Sequence, residues 1–198
     1  MFPLIESIRI ARGVVSSLPY HQQRMERSMG ILGGECGVNL RDFFSKKQLP
    51  SRGVWKARIV YEEEIVSCTI TPYEKKDIAS LQIVTHDEID YGLKYADRRN
   101  LAALFAQRGG ADDILIVKNG CVSDTYYCNV CFFDGQNWYT PDTPLLRGVM
   151  REKLLHSNRI QTRRIRTEDI HSYENVMCIN ALLPPGVLPP FSTECIYR

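Results

Sequence analysis

Apolar and polar residues alternate along Leu4–Arg12, the period-two signature of a half-buried strand. Gly13 can turn that strand and Val14-Val15-Ser16 can return it as a hairpin. From Pro19 to about Leu32 the spacing becomes helical, with Gly33-Gly34 as a stop signal. Asn39 can cap a short helix over Leu40–Lys47, and Pro50, Ser51 and Gly53 mark a loop. Val54–Tyr61 and Ile65–Pro72 read as paired strands joined by Glu62-Glu63-Glu64, and Leu81–Thr85 as a further strand. The composition breaks across Glu74–Ser80. Two domains are therefore expected, a small one over 1–80 and a larger one over 81–198.

The second half is more sharply punctuated. Asp97–Gln107 has helical character and ends at Gly109-Gly110. Ile114–Lys118, Cys121–Thr125, Asn129–Phe133 and Trp138–Thr140 form a meander. Asn119-Gly120 is a hairpin signal, because both central residues of a type I′ turn need positive φ, and Asp134-Gly135 serves the next turn. Leu146–His156 reads as a helix, Gln161–Ile165 as a strand, Thr167-Glu168-Asp169 as the start of a short helix and Val176–Asn180 as the last clear strand. Pro184, Pro185, Pro189 and Pro190 predict an irregular tail. Helices mixed with antiparallel hairpins point to an α+β fold with mixed sheets.

The chain has 198 residues, 44% apolar and 24% charged, with a net charge of +2. That balance excludes a polybasic nucleic-acid or membrane module. No apolar run approaches the length of a membrane span. The start, Met1-Phe2-Pro3-Leu4-Ile5-Glu6, has no basic region before an apolar one, so no signal peptide is expected. Seven Cys, an odd number, fit reduced thiols in a cytoplasmic protein. Cys128-Asn129-Val130-Cys131 has the spacing of a metal or redox pair. It runs into an apolar strand, where residues three apart face opposite ways, so small buried hydrophobes are expected. The four His are dispersed and no metal site is expected. Phosphate-loop, dinucleotide and serine-nucleophile signatures are missing.

A lysine remains. Lys94 follows Tyr91-Gly92-Leu93 and feeds the Asp97 segment. A carbonyl cofactor such as pyridoxal phosphate needs a lysine amine to bind it. It also needs a carboxylate at its ring nitrogen. Its phosphate needs a cation and backbone N–H groups, often at a helix start.

Several blocks together resemble the class IV aminotransferase family. Ile5-Glu6-Ser7-Ile8-Arg9 is similar to its Phe-Glu-Thr-Ile-Arg strand, and His21-Gln22-Gln23-Arg24-Met25 to its His-x-x-Arg-Leu helix. Gly92-Leu93-Lys94 with Arg98 is similar to its lysine segment. Gly120-Cys121-Val122-Ser123-Asp124, continuing to Asn129 and Thr140-Pro141, is similar to Gly-x-Val-x-Glu … Asn … Thr-Pro. Gly148-Val149-Met150-Arg151 is similar to its phosphate turn. Asn180-Ala181-Leu182, followed by Pro184, resembles the 4-amino-4-deoxychorismate lyase branch.

The resemblance implies the two-domain fold of D-amino acid aminotransferase-like proteins, in a member short at its N-terminus, with pyridoxal 5′-phosphate between the domains. It implies Lys94 as the cofactor-binding and proton-moving lysine. Asp124 would stand at the ring nitrogen, one methylene shorter than the usual Glu. Arg24 would grip the phosphate with support from His21. Val149 and Met150 would offer backbone N–H groups, Met150 replacing a hydroxyl residue, and Asn180 and Ala181 would close the phosphate cup. Arg98 and Arg58 are candidates for substrate carboxylates. The implied activity is a carbon–oxygen lyase forming 4-aminobenzoate and pyruvate, on the way to folate. The alternatives are a transaminase of branched-chain or D-amino acids and a catalytically inert member. A small amino substrate and a homodimer are implied, with neither nucleic acid nor membrane as partner.

Overall fold

A computed structural model describes residues 3–198. The reading of Met1 and Phe2 as no part of a leader lies outside the described residues. The chain forms two compact units. The first comprises the described residues up to Lys75 together with Leu93–Asp97, and the second comprises Lys76–Gly92 and Arg98–Arg198.

The first unit is built on a four-stranded antiparallel sheet. Its strands are β1 (Leu4–Ala11), β2 (Val14–Val15), β3 (Val54–Tyr61) and β4 (Ile65–Pro72), in the order β2-β1-β3-β4. Register places Leu4, Glu6, Ile8 and Ile10 opposite Tyr61, Ile59, Ala57 and Trp55, so these residues share one face. On that face packs α1 (Leu18–Ile31), through Met25 and Met29, with Leu40 and Phe44 of α2 (Leu40–Ser45) in the same core. Gly33, at φ +78, ends α1 as expected. Its N–H bonds to the Gly30 carbonyl, and the Gly34 N–H bonds to Met29 O, the paired bonds of a Schellman motif. Asn39 caps α2, accepting the Asp42 N–H at 3.1 Å. Gln22 joins the helices, accepting from Leu40 N and donating to Val38 O. The 93–97 segment is fastened to β1: Ile5 N donates to Lys94 O at 2.8 Å, Ala96 N donates to Pro3 O at 2.8 Å, and Leu4 bridges Tyr95.

The second unit has a mixed sheet, in keeping with the expected α+β class. Strands β5 (Leu81–Thr85) and β6 (Asp113–Lys118) run parallel, with α3 (Arg99–Phe105) between them in sequence. Then come β7 (Cys121–Thr125), β8 (Asn129–Phe133) and β9 (Trp138–Pro141), all antiparallel neighbours. Gly120, at φ +73 beside Asn119 at φ 51, makes the expected type I′ turn. Next, α4 (Val149–His156) lays Met150 and Leu154 against Cys131 of β8 and against Met177 and Ile179 of β11 (Asn175–Ile179). β10 (Gln161–Arg163) pairs parallel with β9.

Some expected boundaries move. The second-half helices are shorter than their periodicity suggested: α3 spans Arg99–Phe105 rather than 97–107, and α4 begins at Val149 rather than Leu146. The segment from Thr167 is a 3-10 turn, Thr167–Ser172. The tail is not irregular throughout. After the prolines, β12 (Phe191–Ser192) pairs with β11, and β13 (Ile196–Tyr197) pairs parallel with β5. Two-residue strands lie below the length at which alternation can be read. Cys128 and Cys131 are buried free thiols, and the described residues contain no cluster of His, Cys, Asp or Glu fit for a metal ion. No described helix is long and apolar enough to cross a membrane.

Candidate functional site

In the first unit, Glu6 stands on the core face of β1 and is fully buried. An unpaired carboxylate there would carry a large desolvation cost. The buried face of α1 supplies its partners one turn apart. Arg24 Nε donates to Glu6 Oε1 at 2.8 Å, a second guanidinium N–H reaches Oε2, and His21 Nδ1 lies 2.6 Å from Oε2. Burial pushes the Glu6 carboxyl up, but Arg24, and then His21, outweigh it and bring its pKa to about 2. His21 itself is lowered, by burial first, with the charges of Arg24 and Lys94 acting the same way against Glu6. Facing an ionised carboxylate, Nδ1 carries the proton. Nε2 is buried without a hydrogen-bond partner. Thus Arg24, His21 and Lys94 do lie in one unit, with Lys94 half-buried beside the first residues of β1. Arg58 lies elsewhere: its register opposite Ser7 and Thr69 puts it on the sheet face away from Glu6.

In the second unit, Asp124 lies in the buried part of β7 and pairs across the ladder with Asn129 of β8. Both are 6% exposed. Asn129 Nδ2 donates to Asp124 Oδ1 at 2.7 Å and to Leu146 O at 2.9 Å, while Leu146 N donates to Asp124 Oδ2 at 2.8 Å. Burial raises the Asp124 pKa to about 6, with the Leu146 N–H, Asn129 and Arg151 pulling it back. Gly148 caps α4 with extended backbone, and a Cβ there would lie 1.9 Å from Asn129 Oδ1. The glycine is needed for space. Val149 and Met150 follow as the first helical residues, ahead of the first intrahelical bond from Glu152 N to Gly148 O, so their N–H groups are the orphan donors of a helix start.

Asn180 is engaged in its own turn. Its Oδ1 accepts from Leu182 N and Leu183 N, its N–H donates to Leu183 O, and its Nδ2 donates to Tyr127 O. It therefore shapes the loop that presents Ala181. Arg98 is likewise engaged within the second unit. It donates to Tyr126 O and lies over the Tyr126 ring at 4.3 Å and the Tyr127 ring at 5.2 Å. Nearby, buried Asp113 accepts from Ile114 N and Tyr126 N.

The sequence profile described as amino-transferase class IV matches residues 65–189. The chain belongs to the class IV aminotransferase family. An uncharacterized protein of Haemophilus influenzae is 42% identical over 185 residues, which is 92% of this chain and 98% of that protein. A Haemophilus somnus crystal structure provisionally described as a 4-amino-4-deoxychorismate lyase is 34% identical, with a TM-score of 0.87, over 93% of this chain and 98% of that one. The PLP-bound form of a hypothetical aminotransferase from Mycobacterium tuberculosis shares the fold at 16% identity and a TM-score of 0.77, over 92% of this chain and 78% of that one.

Within this class IV aminotransferase chain, sequence reasoning assigned no role to Glu6, Asn129 or Gly148. Each had a signal. Glu6 is the acid at an inward position of an alternating strand, which demands a buried cation. Asn129 is the polar residue that opens an otherwise apolar strand. Gly148 stands where no turn requires positive φ, which points to a close approach instead.

Proposed function

We propose that this class IV aminotransferase chain uses pyridoxal phosphate and works as a 4-amino-4-deoxychorismate lyase. The donor set fits the cofactor. It offers an amine at Lys94, a buried carboxylate at Asp124, and a buried guanidinium at Arg24 beside the unpartnered His21 Nε2. It also offers a helix start at Val149 and Met150, preceded by the extended cap residue Gly148. Arg24, the amides of Val149 and Met150, and the amide of Ala181 would hold the phosphate. Asp124 would hold the proton on the ring nitrogen.

When bound, the cofactor supplies a sink for the electron pair left at the substrate carbon. Lys94 takes the hydrogen from the amino-bearing carbon as a general base. It then returns a proton as the carbon–oxygen bond to the enolpyruvyl group breaks. The products, 4-aminobenzoate and pyruvate, account for all the atoms of the substrate, so no keto-acid half-reaction is needed. Arg58 and Arg98 are the cations proposed for substrate carboxylates.

The lyase reading is carried by the likeness, over nearly the whole of both chains, to the Haemophilus somnus protein. The family profile favours a second reading, an aminotransferase of branched-chain or D-amino acids. Purified protein loaded with pyridoxal phosphate tests both. Pyruvate release from 4-amino-4-deoxychorismate supports the lyase. A spectral change with amino acid alone, reversed by a keto acid, supports the transaminase. Failure of wild type to take up cofactor overturns both. A homodimer belongs to the same reading, and sedimentation tests it.

A further inference from the structure

The carboxylate of Asp124 and the segment that leads into α4 come from separate stretches of chain, yet a single carboxamide contacts both. Asn129 Nδ2 donates 2.7 Å to Asp124 Oδ1 and 2.9 Å to Leu146 O. The ring is closed by Leu146 N, which donates 2.8 Å to Asp124 Oδ2. Asn129 Oδ1 occupies the space beside Gly148 that any Cβ would fill, at 1.9 Å. Thus both donor hydrogens of the carboxamide are engaged and its oxygen rests on the helix cap. The residue is buried and sits in β8, paired with Asp124 on one side and with Ile179 of β11 on the other. A strand held on both sides is a rigid platform. The rest of the ring is the 142–148 loop, which the ring pins at Leu146 and which Ser123 and Val122 hold at Thr143.

We propose that Asn129 is a positioning residue that locks Asp124 and the start of α4 into one body, so that the ring-nitrogen contact and the phosphate contact of the cofactor cannot move independently. This rests on the pyridoxal phosphate reading above. Asp124 reaches less far than a glutamate, and a shorter arm leaves less room to correct a misplaced phosphate turn. Asn129 removes that freedom in advance, which is how preorganisation raises affinity without a new contact to the ligand. Deleting its donors leaves Asp124 held only by the backbone N–H groups of the 145–146 segment and removes the Asn129 bond to Leu146 O. It also opens a void against Gly148.

The test uses holoenzyme made with pyridoxal phosphate carrying a 15N ring nitrogen, read by 15N and 31P NMR. In Asn129→Ser, both signals are expected to move from their wild-type positions, the 15N signal toward that of the unprotonated ring. Cofactor affinity is expected to fall roughly 10- to 100-fold, the loss typical of a hydrogen bond to a charged group. Gly148→Ala approaches from the other side. Its methyl displaces the Asn129 carboxamide while Asn129 remains, and the same paired movement is expected. A purely structural Asn129 would lower Tm and leave both signals where they were, and that result overturns the proposal. So does movement of one signal alone.

Should both variants fail to fold, the wild-type protein without cofactor is titrated with inorganic phosphate. Phosphate that shifts the Val149 and Met150 amides must also shift the Asn129 side-chain NH2 signals. If those stay still, the proposal is overturned. The two failures are distinguishable: wild type that takes up no cofactor removes the functional reading and this proposal together, whereas loaded wild type with unmoved variants removes this proposal alone.

Discussion

Glu6 and Asp124 are both carboxylates on strands, 0% and 6% exposed, yet they are held in opposite ways. In the first unit charge answers charge: Arg24 and His21 close on Glu6 and bring its pKa to about 2. In the second unit neutral donors do the holding: Asn129 and the Leu146 N–H orient Asp124, and burial still leaves its pKa near 6. Equal burial therefore does not imply equal charge. A guanidinium offsets the loss of water around a carboxylate, and amides only aim it. The first arrangement suits a fixed scaffold for a cation. The second leaves a carboxylate without a bonded cation, which a positive partner such as a protonated ring nitrogen would supply.

The largest expected effect is at Lys94, the lysine proposed to bind the cofactor. Lys94→Ala should abolish the visible absorption band of lysine-bound cofactor and lower turnover by about four orders of magnitude. Retention of the band would remove Lys94 from its role. Next, Glu6→Gln removes the carboxylate that faces buried Arg24 and should cost about 3–5 kcal/mol in urea unfolding. Asp124→Asn trades a carboxylate held chiefly by backbone and amide donors for a neutral group of the same shape and should cost roughly 1–2 kcal/mol. In cofactor titrations the order should reverse, with Asp124→Asn the weaker binder. Equal stability losses would erase the contrast between the two units.

The pH dependence separates the same two carboxylates with opposite signs. Glu6 has a folded pKa below its ordinary value of 4.5, so its stabilisation is present above 4.5 and is lost as pH falls toward 2. Asp124 has a folded pKa raised from 3.8 to about 6. Its contribution is fully present below 3.8 and is lost as pH rises through 6. Asp113, raised the same way by burial, adds to that fall. Unfolding free energies from urea, followed from pH 3 to pH 7, should rise and then decline, with the upper limb the larger because two raised carboxyls contribute to it. Asp124→Asn should shallow the upper limb, as should bound cofactor. An upper limb unchanged by Asp124→Asn would show that other groups produce it. The smallest effect is expected on the far sheet face. Arg58→Ala should leave unfolding within about 0.5 kcal/mol and the cofactor band intact, while raising KM for an anionic substrate.

Most elements were legible because each carries a local code. The alternation of Leu4–Ala11, the Gly33-Gly34 stop, the Asn39 cap and the Asn119-Gly120 turn need no knowledge of distant chain. The start of α4 was less so. Leu146 fits a helical period, but its N–H and C=O are claimed by Asp124 and Asn129, and only tertiary structure reveals that. The terminal strand was illegible for the same reason, since Ile196 and Tyr197 are a strand only by virtue of β5. Among the proposed site residues, those that resemble a chemical part could be named from the sequence: the lysine, the carboxylate and the arginine. Those that hold the parts, Glu6 and Asn129, are recognised by their partners, and their partners lie far along the chain.

The fastening of Lys94 to the start of β1 has a consequence in time. Pro3, Leu4 and Ile5 meet the segment around Lys94 only after some ninety intervening residues have been made, a long loop to close. During synthesis the first sheet can assemble early from its own hairpins, but its outer edge at Leu4 and Ile5 stays open until residue 97 has emerged. Until then it is an unpaired edge, open to pairing with another chain. A chain halted before residue 94 has every strand of the first unit but lacks Lys94. The same backbone bonds that set the lysine in place also cover that edge, so maturation of the site and protection from misassembly are a single late event.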